Sequence, residues 1–411
     1  MNSGKPRPTG QPRNLSQPQN SSRPGYSVVR RLAGFGTLAV LTVALAQGGT
    51  IKIGGAFNLT GALSSLDAPA ANGAKLAVQE INTAGGVLGR KLELVVYDGK
   101  SDAATITNVA SQMIGSDKVA AVVGFTDSDS ALALGPITQK AGIPFVTAGA
   151  TSPQLPTQIG DTMFLAPFGD NVQAAVGAEF ARKNLKAKTA YLLVDRSAEY
   201  TTLLAKYFKD AFVKGGGKVV LEDSYKSGDK NFGAQITKLR ALATRPDILY
   251  VAALPDDIGT LVKQVRQAGI TLPIVGGDGY DTPLLVQVGG ASANNVYFTT
   301  HALMAQNGTP AVRKFMASYK KAFGKEPENA FAALGYDSVY LVADAIKRAG
   351  SADPAKIKVA LAATRGLKTV TGTISYAPGS RVPQKAVTVI GVKGGQLTLA
   401  AEMAPSYVPR P

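Results

Sequence analysis

From Thr50 onward, short apolar runs alternate with longer stretches at helical spacing. "TIKIGGAF" (50–57) reads as a strand. In "PAANGAKLAVQEINTA", Pro69 to Ala84, the positions Ala74, Ala77, Val78 and Ile81 recur on one helix face. After the turn "GGVLGR" comes the strand "KLELVVYD" (91–98). A helix near 103–115 leads to "KVAAVVG" (118–124), and a helix near 128–141 leads to "PFVTAG". Beyond "FLAPF" (164–168) the pattern starts again: helix 170–184, strand 189–195, helix 198–214, strand 218–225, helix 231–243, strand 247–253, helix 256–268 and strand 272–279. A strand at 295–301, helices near 309–322, 328–348 and 353–363, and a β-rich tail complete the chain.

This alternation predicts an α/β fold with parallel sheets and crossover helices on both faces. The restart near 165–170 predicts two doubly wound lobes. Ligands of such sheets sit beyond the carboxyl ends of the strands. The loops of interest are therefore 57–66, 98–103, 124–130, 147–153, 195–200, 253–257 and 276–282.

The first 50 residues follow a different pattern. Residues 1–27 are rich in Pro, Ser, Asn, Gln and Gly and are expected to be disordered, or to be a leader ahead of a true start near Val28. Arg30-Arg31, the apolar run Leu32–Leu45 and the small residues Ala44 and Ala46 form the three parts of a secretory signal peptide over 28–46. The apolar run is short for a membrane span. The mature chain is expected to be exported, periplasmic or otherwise extracytoplasmic, and soluble.

Composition narrows the chemistry. The 411 residues are 45% hydrophobic and 18% charged, with a net charge of +16. Six basic residues lie before residue 50 with no acid among them, which leaves +10 scattered singly along the rest. Nucleic-acid binding needs clustered Lys and Arg, so it is not expected. There is no cysteine, which excludes disulfides, thiolate metal sites and a thiol nucleophile. The single histidine, His301, ends a strand without a Gly-x-Ser-x-Gly elbow, and reads as an ordinary histidine more readily than as a catalytic base. One histidine cannot make a usual zinc site, and Asp127-Ser128-Asp129 lacks the ladder of a calcium loop. No phosphate loop or dinucleotide fingerprint occurs. No metal, cofactor or catalytic residue is expected.

The loops suit a zwitterion instead. Ser128 in "GFTDSDSAL" opens a helix, where free N–H groups favour a carboxylate; it reads equally as a plain N-cap. In "GIPFVTAGATSPQL" a buried strand ends at Gly149, Ala150 and Thr151, which offer carbonyls, amides and a hydroxyl, or simply a turn. Asp278 in "VGGDG" suits an ammonium, or a β-turn. Tyr200 follows another strand end, positioned to cover a ligand or to pack on a helix face.

In sequence order, "IKIGGAFNLTGALSS", "NGAKLAVQEINTAGGVLGRKLELVVYD", "VAAVVGFTDSDSA", "GIPFVTAGATSPQL" and "LPIVGGDGYDTP" resemble the periplasmic binding proteins of branched-chain amino-acid ABC transporters, from about Thr50 to about Leu399. The resemblance implies a type I clamshell with a three-segment hinge. One lobe would be 50–169 with 300–372, the other 170–299 with 373–399, followed by a tail over 400–411. By the same resemblance Ser128, Gly149, Ala150 and Thr151 bind the ligand carboxylate and help seat its ammonium. Asp278 holds the ammonium, where branched-chain binders commonly carry a longer glutamate. Tyr200 closes over the ligand. Leu254 stands where the family often has a second aromatic, and Asp127 and Asp129 make the carboxylate loop unusually acidic. The implied partners are a small amino acid and a membrane ABC permease, with the carrier a monomer. Amides, urea-like solutes, aromatic acids and a sensing role are the alternatives.

Overall fold

The computed structural model describes residues 49–411; the leader at 1–27 and the signal peptide at 28–46 lie outside the described residues. The first sheet is built from β1 (Ile51–Phe57), β2 (Leu92–Asp98), β3 (Ala121–Gly124), β4 (Phe145–Thr147) and β5 (Met163–Leu165). Its order is β2-β1-β3-β4-β5, with all pairs parallel. Successive residues of its central strands enter opposite cores. Val123, Val146 and Phe164 face one side, and Val122, Phe145 and Leu165 the other. A strand covered on both faces must be apolar at every position, which is why these runs show no alternation.

The helices of this part are α1 (Ser64–Thr83), α2 (Ala103–Gln112), α3 (Ser128–Ala141) and α4 (Leu155–Ile159). The spacing places the start of α1 at Pro69, yet the helix begins at Ser64 and carries Pro69 inside it. Proline lacks the N–H that would bond the carbonyl four residues back. That carbonyl belongs to Ser65, and Asn329 Nδ2 donates to it at 3.0 Å. A distant side chain thus makes the proline tolerable.

The second sheet contains β6 (Thr189–Asp195), β7 (Lys218–Tyr225), β8 (Ile248–Ala252), β9 (Ile274–Gly276) and β10 (Val296–Thr300). The helices α5 (Asp170–Lys183), α6 (Glu199–Lys214), α7 (Gly233–Arg240), α8 (Pro255–Gln267) and α9 (Pro283–Gly289) connect them. Three helices follow: α10 (Pro310–Phe323), α11 (Ala330–Ala349) and α12 (Pro354–Ala362). A small hairpin of β11 (Leu367–Thr369) and β12 (Gly372–Ile374) precedes β13 (Val387–Lys393) and β14 (Gln396–Met403). The last two strands join the second sheet, in the order β14-β13-β10-β9-β8-β6-β7. Both are antiparallel, so this sheet is mixed where a parallel one is expected. A two-residue connection between β13 and β14 permits only antiparallel pairing.

β14 also carries the sheet to Met403, past the boundary expected at 399. The following segment is tied down, because Ser406 N donates to Glu179 at 3.0 Å and Asn171 Nδ2 to Pro409 O at 2.9 Å. The chain passes between the sheets three times: after β5, after β10 and between β12 and β13. Buried Lys385, in the third passage, donates to Ala166 O in the first at 3.3 Å and also to Thr371 Oγ1.

Both sheets change strand direction of succession at one point, between β1 and β3 and between β6 and β8. The loops at the carboxyl ends beside those points are where a ligand would sit.

Candidate functional site

On the first-sheet side, β3 ends at Gly124 and Phe125 turns the chain with a left-handed φ of 43°. Asp127, not Ser128, is the N-cap of α3: its Oδ1 accepts from Ser130 N at 2.8 Å. Asn58 Nδ2 steadies this turn, reaching Ser130 Oγ at 3.1 Å. Ser128 is the first helical residue, fully buried, and its Oγ accepts from Ser152 N at 3.2 Å. The reading of Ser128 as a plain N-cap therefore gives way. A carboxylate is the stronger cap here because it adds charge to the acceptor.

The 148–152 loop lies alongside. Thr147 Oγ1 accepts from the amides of Gly149 (3.3 Å) and Ala150 (2.9 Å) and donates to Phe125 O at 2.7 Å. Those two amides are thus engaged within the loop. Thr151 O accepts from Asp170 N at 2.7 Å. Gly149 is required by close approach, since a Cβ there would lie 2.7 Å from the Phe331 ring and 2.9 Å from Thr126 Cα.

On the second-sheet side, Asp278 begins a single 3-10 turn directly after β9 and is 2% exposed. Its Oδ1 accepts from Tyr200 OH at 2.9 Å and from Gln173 Nε2 at 2.8 Å. Its Oδ2 lies 3.0 Å from His301 Nε2. Gln173 cannot flip, because its Oε1 accepts from Asp278 N (3.1 Å) and Thr299 Oγ1 (2.8 Å). Burial, and next the Asp278 charge, hold the Tyr200 phenol well above its ordinary range, so it is a donor. Burial lowers the His301 imidazole, which stacks on Phe168 at 4.0 Å between ring centroids. A neutral ring beside a carboxylate carries its hydrogen on the facing nitrogen, so Nε2–H donates to Asp278.

The two sides meet around a narrow cavity of ≈ 10 Å³, room for about one water. Leu66, Thr126, Asp127 and Phe331 line it from one side, and Tyr200, Leu254, Asp278 and Gly279 from the other. Of the six residues selected from sequence, Tyr200 and Asp278 form its wall directly. Ser128, Gly149, Ala150 and Thr151 lie on the two loops beside Thr126 and Phe331. Sequence reasoning missed Gln173, His301, Leu66 and Phe331. Gln173 had a signal, as a polar residue in the otherwise apolar helix face of "NVQAAVG". His301 had one too, as the end of a strand. Phe331 had none, since "AFAALGYDSVYL" reads as a core helix throughout. Among the described residues no group of three or more His, Cys, Asp or Glu side chains is set to hold a metal ion.

Asp67, fully buried in α1 behind this cavity, accepts from Asn58 N at 2.9 Å. Burial, reinforced by the Asp127 charge, pushes it up to about 8 from 3.8. A raised carboxyl disfavours the folded state once ionised, so its contribution is lost as pH rises from about 4 to about 8. Asp67→Asn is therefore expected to stabilise the protein at pH 8 relative to wild type by at least about 1.4 kcal/mol. The gain should vanish at pH 4, with urea midpoints at the two pH values as the measurement.

Comparison with known proteins agrees with this architecture. Residues 50–396 match the family described as Periplasmic binding protein. The Leu/Ile/Val-binding protein homolog 3 of Brucella melitensis is 31% identical over 339 residues, covering 82% of this chain and 90% of the relative. The leucine-, isoleucine-, valine-, threonine-, and alanine-binding protein of Pseudomonas aeruginosa is 30% identical over 328 residues, 80% of this chain and 86% of the relative. The crystal structure of LivJ from Streptococcus pneumoniae in complex with isoleucine superposes with a TM-score of 0.81 at 33% identity, covering 87% of this chain and 100% of that one. With two sheets meeting at their strand ends and a family match over most of its length, the chain belongs to the periplasmic binding proteins.

Proposed function

We propose that this protein is an extracytoplasmic solute-binding protein that captures an apolar, branched-chain type α-amino acid by closing two lobes around it. It then delivers the amino acid to the membrane permease of an ABC transporter. The observation that carries this reading is Asp278: a buried carboxylate with three donors already fixed by Tyr200, Gln173 and His301, facing a cavity between the sheets. A carboxylate has about four acceptor positions, so one on Oδ2 is left for an ammonium. Opposite stands the N-terminus of α3, whose helix dipole favours an anion. Ser128 and Thr151 supply hydroxyls for the ligand carboxylate, and the carbonyls of Gly149 and Ala150 help seat the ammonium. A buried zwitterion is tolerated only when both ends are paired in this way.

Leu66, Leu254 and Phe331 provide the apolar wall for a side chain, where each methylene discriminates by ~1–3 kcal/mol. The relatives are named for leucine, isoleucine and valine, which supports the same class here. Export through a cleaved signal peptide at 28–46 completes the reading. A carrier role in place of a catalytic one is supported by His301: its Nε2 is committed to Asp278 and its ring is held between Phe168 and Phe331.

Thermal-shift screening tests this. L-Leucine, L-isoleucine or L-valine at 100 times its dissociation constant should add about 2.7 kcal/mol of stability. Stabilisation by urea, short amides or benzoate, with none by the three amino acids, would overturn the ligand class.

A further inference from the structure

The helix α6 starts badly by its own sequence. Its N-cap is Ala198, whose side chain cannot accept a hydrogen bond. The missing acceptor comes from the other side of the cleft. Glu199 N donates to the Asp129 carboxylate, at 3.2 Å to Oδ2 and 3.4 Å to Oδ1. Asp129 is the second residue of α3, beside the first sheet, whereas α6 packs on the second. We propose that Asp129 acts as the N-cap of α6 supplied across the cleft, a positioning residue that favours the closed molecule and raises ligand affinity without touching the ligand.

Neighbouring bonds follow the same path. Ser152 Oγ donates to Glu199 Oε1 at 2.9 Å, Gln158 Nε2 to Glu199 Oε2 at 3.4 Å, and Gln154 Nε2 to Tyr207 OH at 3.5 Å. These three bonds join the loop after β4 and helix α4 to the first three turns of α6. Neither Asp129 nor Glu199 lines the ligand cavity. Separating the two sides breaks every one of these bonds and leaves the first turn of α6 uncapped. A contact present in only one of two states shifts the equilibrium between them, and apparent affinity follows. This also accounts for the acidic setting of the carboxylate loop: Asp127 caps its own helix and Asp129 caps the opposite one. The Asp129 carboxyl is held up to about 6, first by burial and then by the Asp127 and Glu199 charges, so a neutral acceptor should serve there as well as the acid.

The inference rests on the cleft being an amino-acid site, and the test separates the two. Titration calorimetry compares the wild-type protein, Asp129→Ala and Asp129→Asn with L-leucine and L-valine. Asp129→Ala should weaken both amino acids by the same factor, about 3- to 30-fold, as loss of an N-cap does. Asp129→Asn, which keeps the acceptor, should stay within about threefold of wild type. The melting temperature of Asp129→Ala should fall less below wild type without ligand than with saturating L-leucine, because the ligand-free molecule holds the closed contact only part of the time. The clasp is overturned by unchanged affinity in Asp129→Ala, by unequal factors for the two amino acids, or by an equal loss of stability with and without ligand. Failure of wild type to bind either amino acid overturns the function instead. Hydrogen exchange at the Glu199 amide without ligand then decides the clasp: faster exchange in Asp129→Ala supports it, and identical exchange refutes it.

Discussion

Asp278→Ala is expected to weaken L-leucine binding at least tenfold, read by titration calorimetry. The carboxylate is 2% exposed, so the ammonium it would pair is also taken out of water. Removing one member of a buried charge pair costs ~3–5 kcal/mol, because the remaining charge stays desolvated and alone. Tenfold is only about 1.4 kcal/mol and is therefore a lower bound. The substitution also strips Tyr200, Gln173 and His301 of their common acceptor, so some loss of melting temperature accompanies it. Circular dichroism must first establish that the variant is folded at the titration temperature. Asp278→Asn separates the effects, since it keeps the volume and an oxygen for Tyr200 and Gln173 but removes the charge and turns an N–H₂ group toward His301. An affinity equal to wild type in a folded Asp278→Ala protein would remove Asp278 from the ligand site, and with it the zwitterion argument.

The largest effect on stability is expected where α1 crosses α11. A Cβ at Gly73 would lie 1.8 Å from Ala332 O, and one at Gly335 would lie 1.9 Å from Ala70 O. The two backbones touch, and no side chain can move aside to admit a methyl group. Helix propensity alone predicts that Gly→Ala in a helix interior stabilises by about 1 kcal/mol. Packing predicts the opposite sign and should win, because overfilling a tight contact costs ~1–3 kcal/mol and occasionally more. Gly335→Ala is therefore expected to lose at least about 2 kcal/mol in urea unfolding. Gly115, inside the helical turn Met113–Asp117, has nothing within 4 Å of its Cβ position and provides the control, with Gly115→Ala stabilised by up to about 1 kcal/mol. A stabilised Gly335→Ala protein would show that the helices can separate at little cost.

Elements whose character is set by their own solvent and core faces were legible in the chain. The helix expected near 128–141 is α3 (Ser128–Ala141), and the strands expected at 189–195 and 218–225 are β6 and β7. Periodicity is a local property, and burial on one or both faces writes it directly into the order of residues. Asp278 and Tyr200 were also legible as polar or aromatic residues just beyond strand ends, a position that follows from topology. What surrounds them was not. Gln173 lies 105 positions from Asp278 and His301 lies 23 away just past the end of β10, yet both bond its carboxylate. Pro69 inside α1 depends on Asn329, 264 positions from the carbonyl it satisfies. Ala198 begins a helix whose cap is Asp129, 70 positions before Glu199. Sequence by itself determined the alternating elements, the two sheets and the loops that could meet a small dipolar ligand. Only the tertiary structure decided which donor satisfies which buried acceptor, because hydrogen-bond pairing depends on distances of about 3 Å set by chain crossings, and no local pattern encodes those.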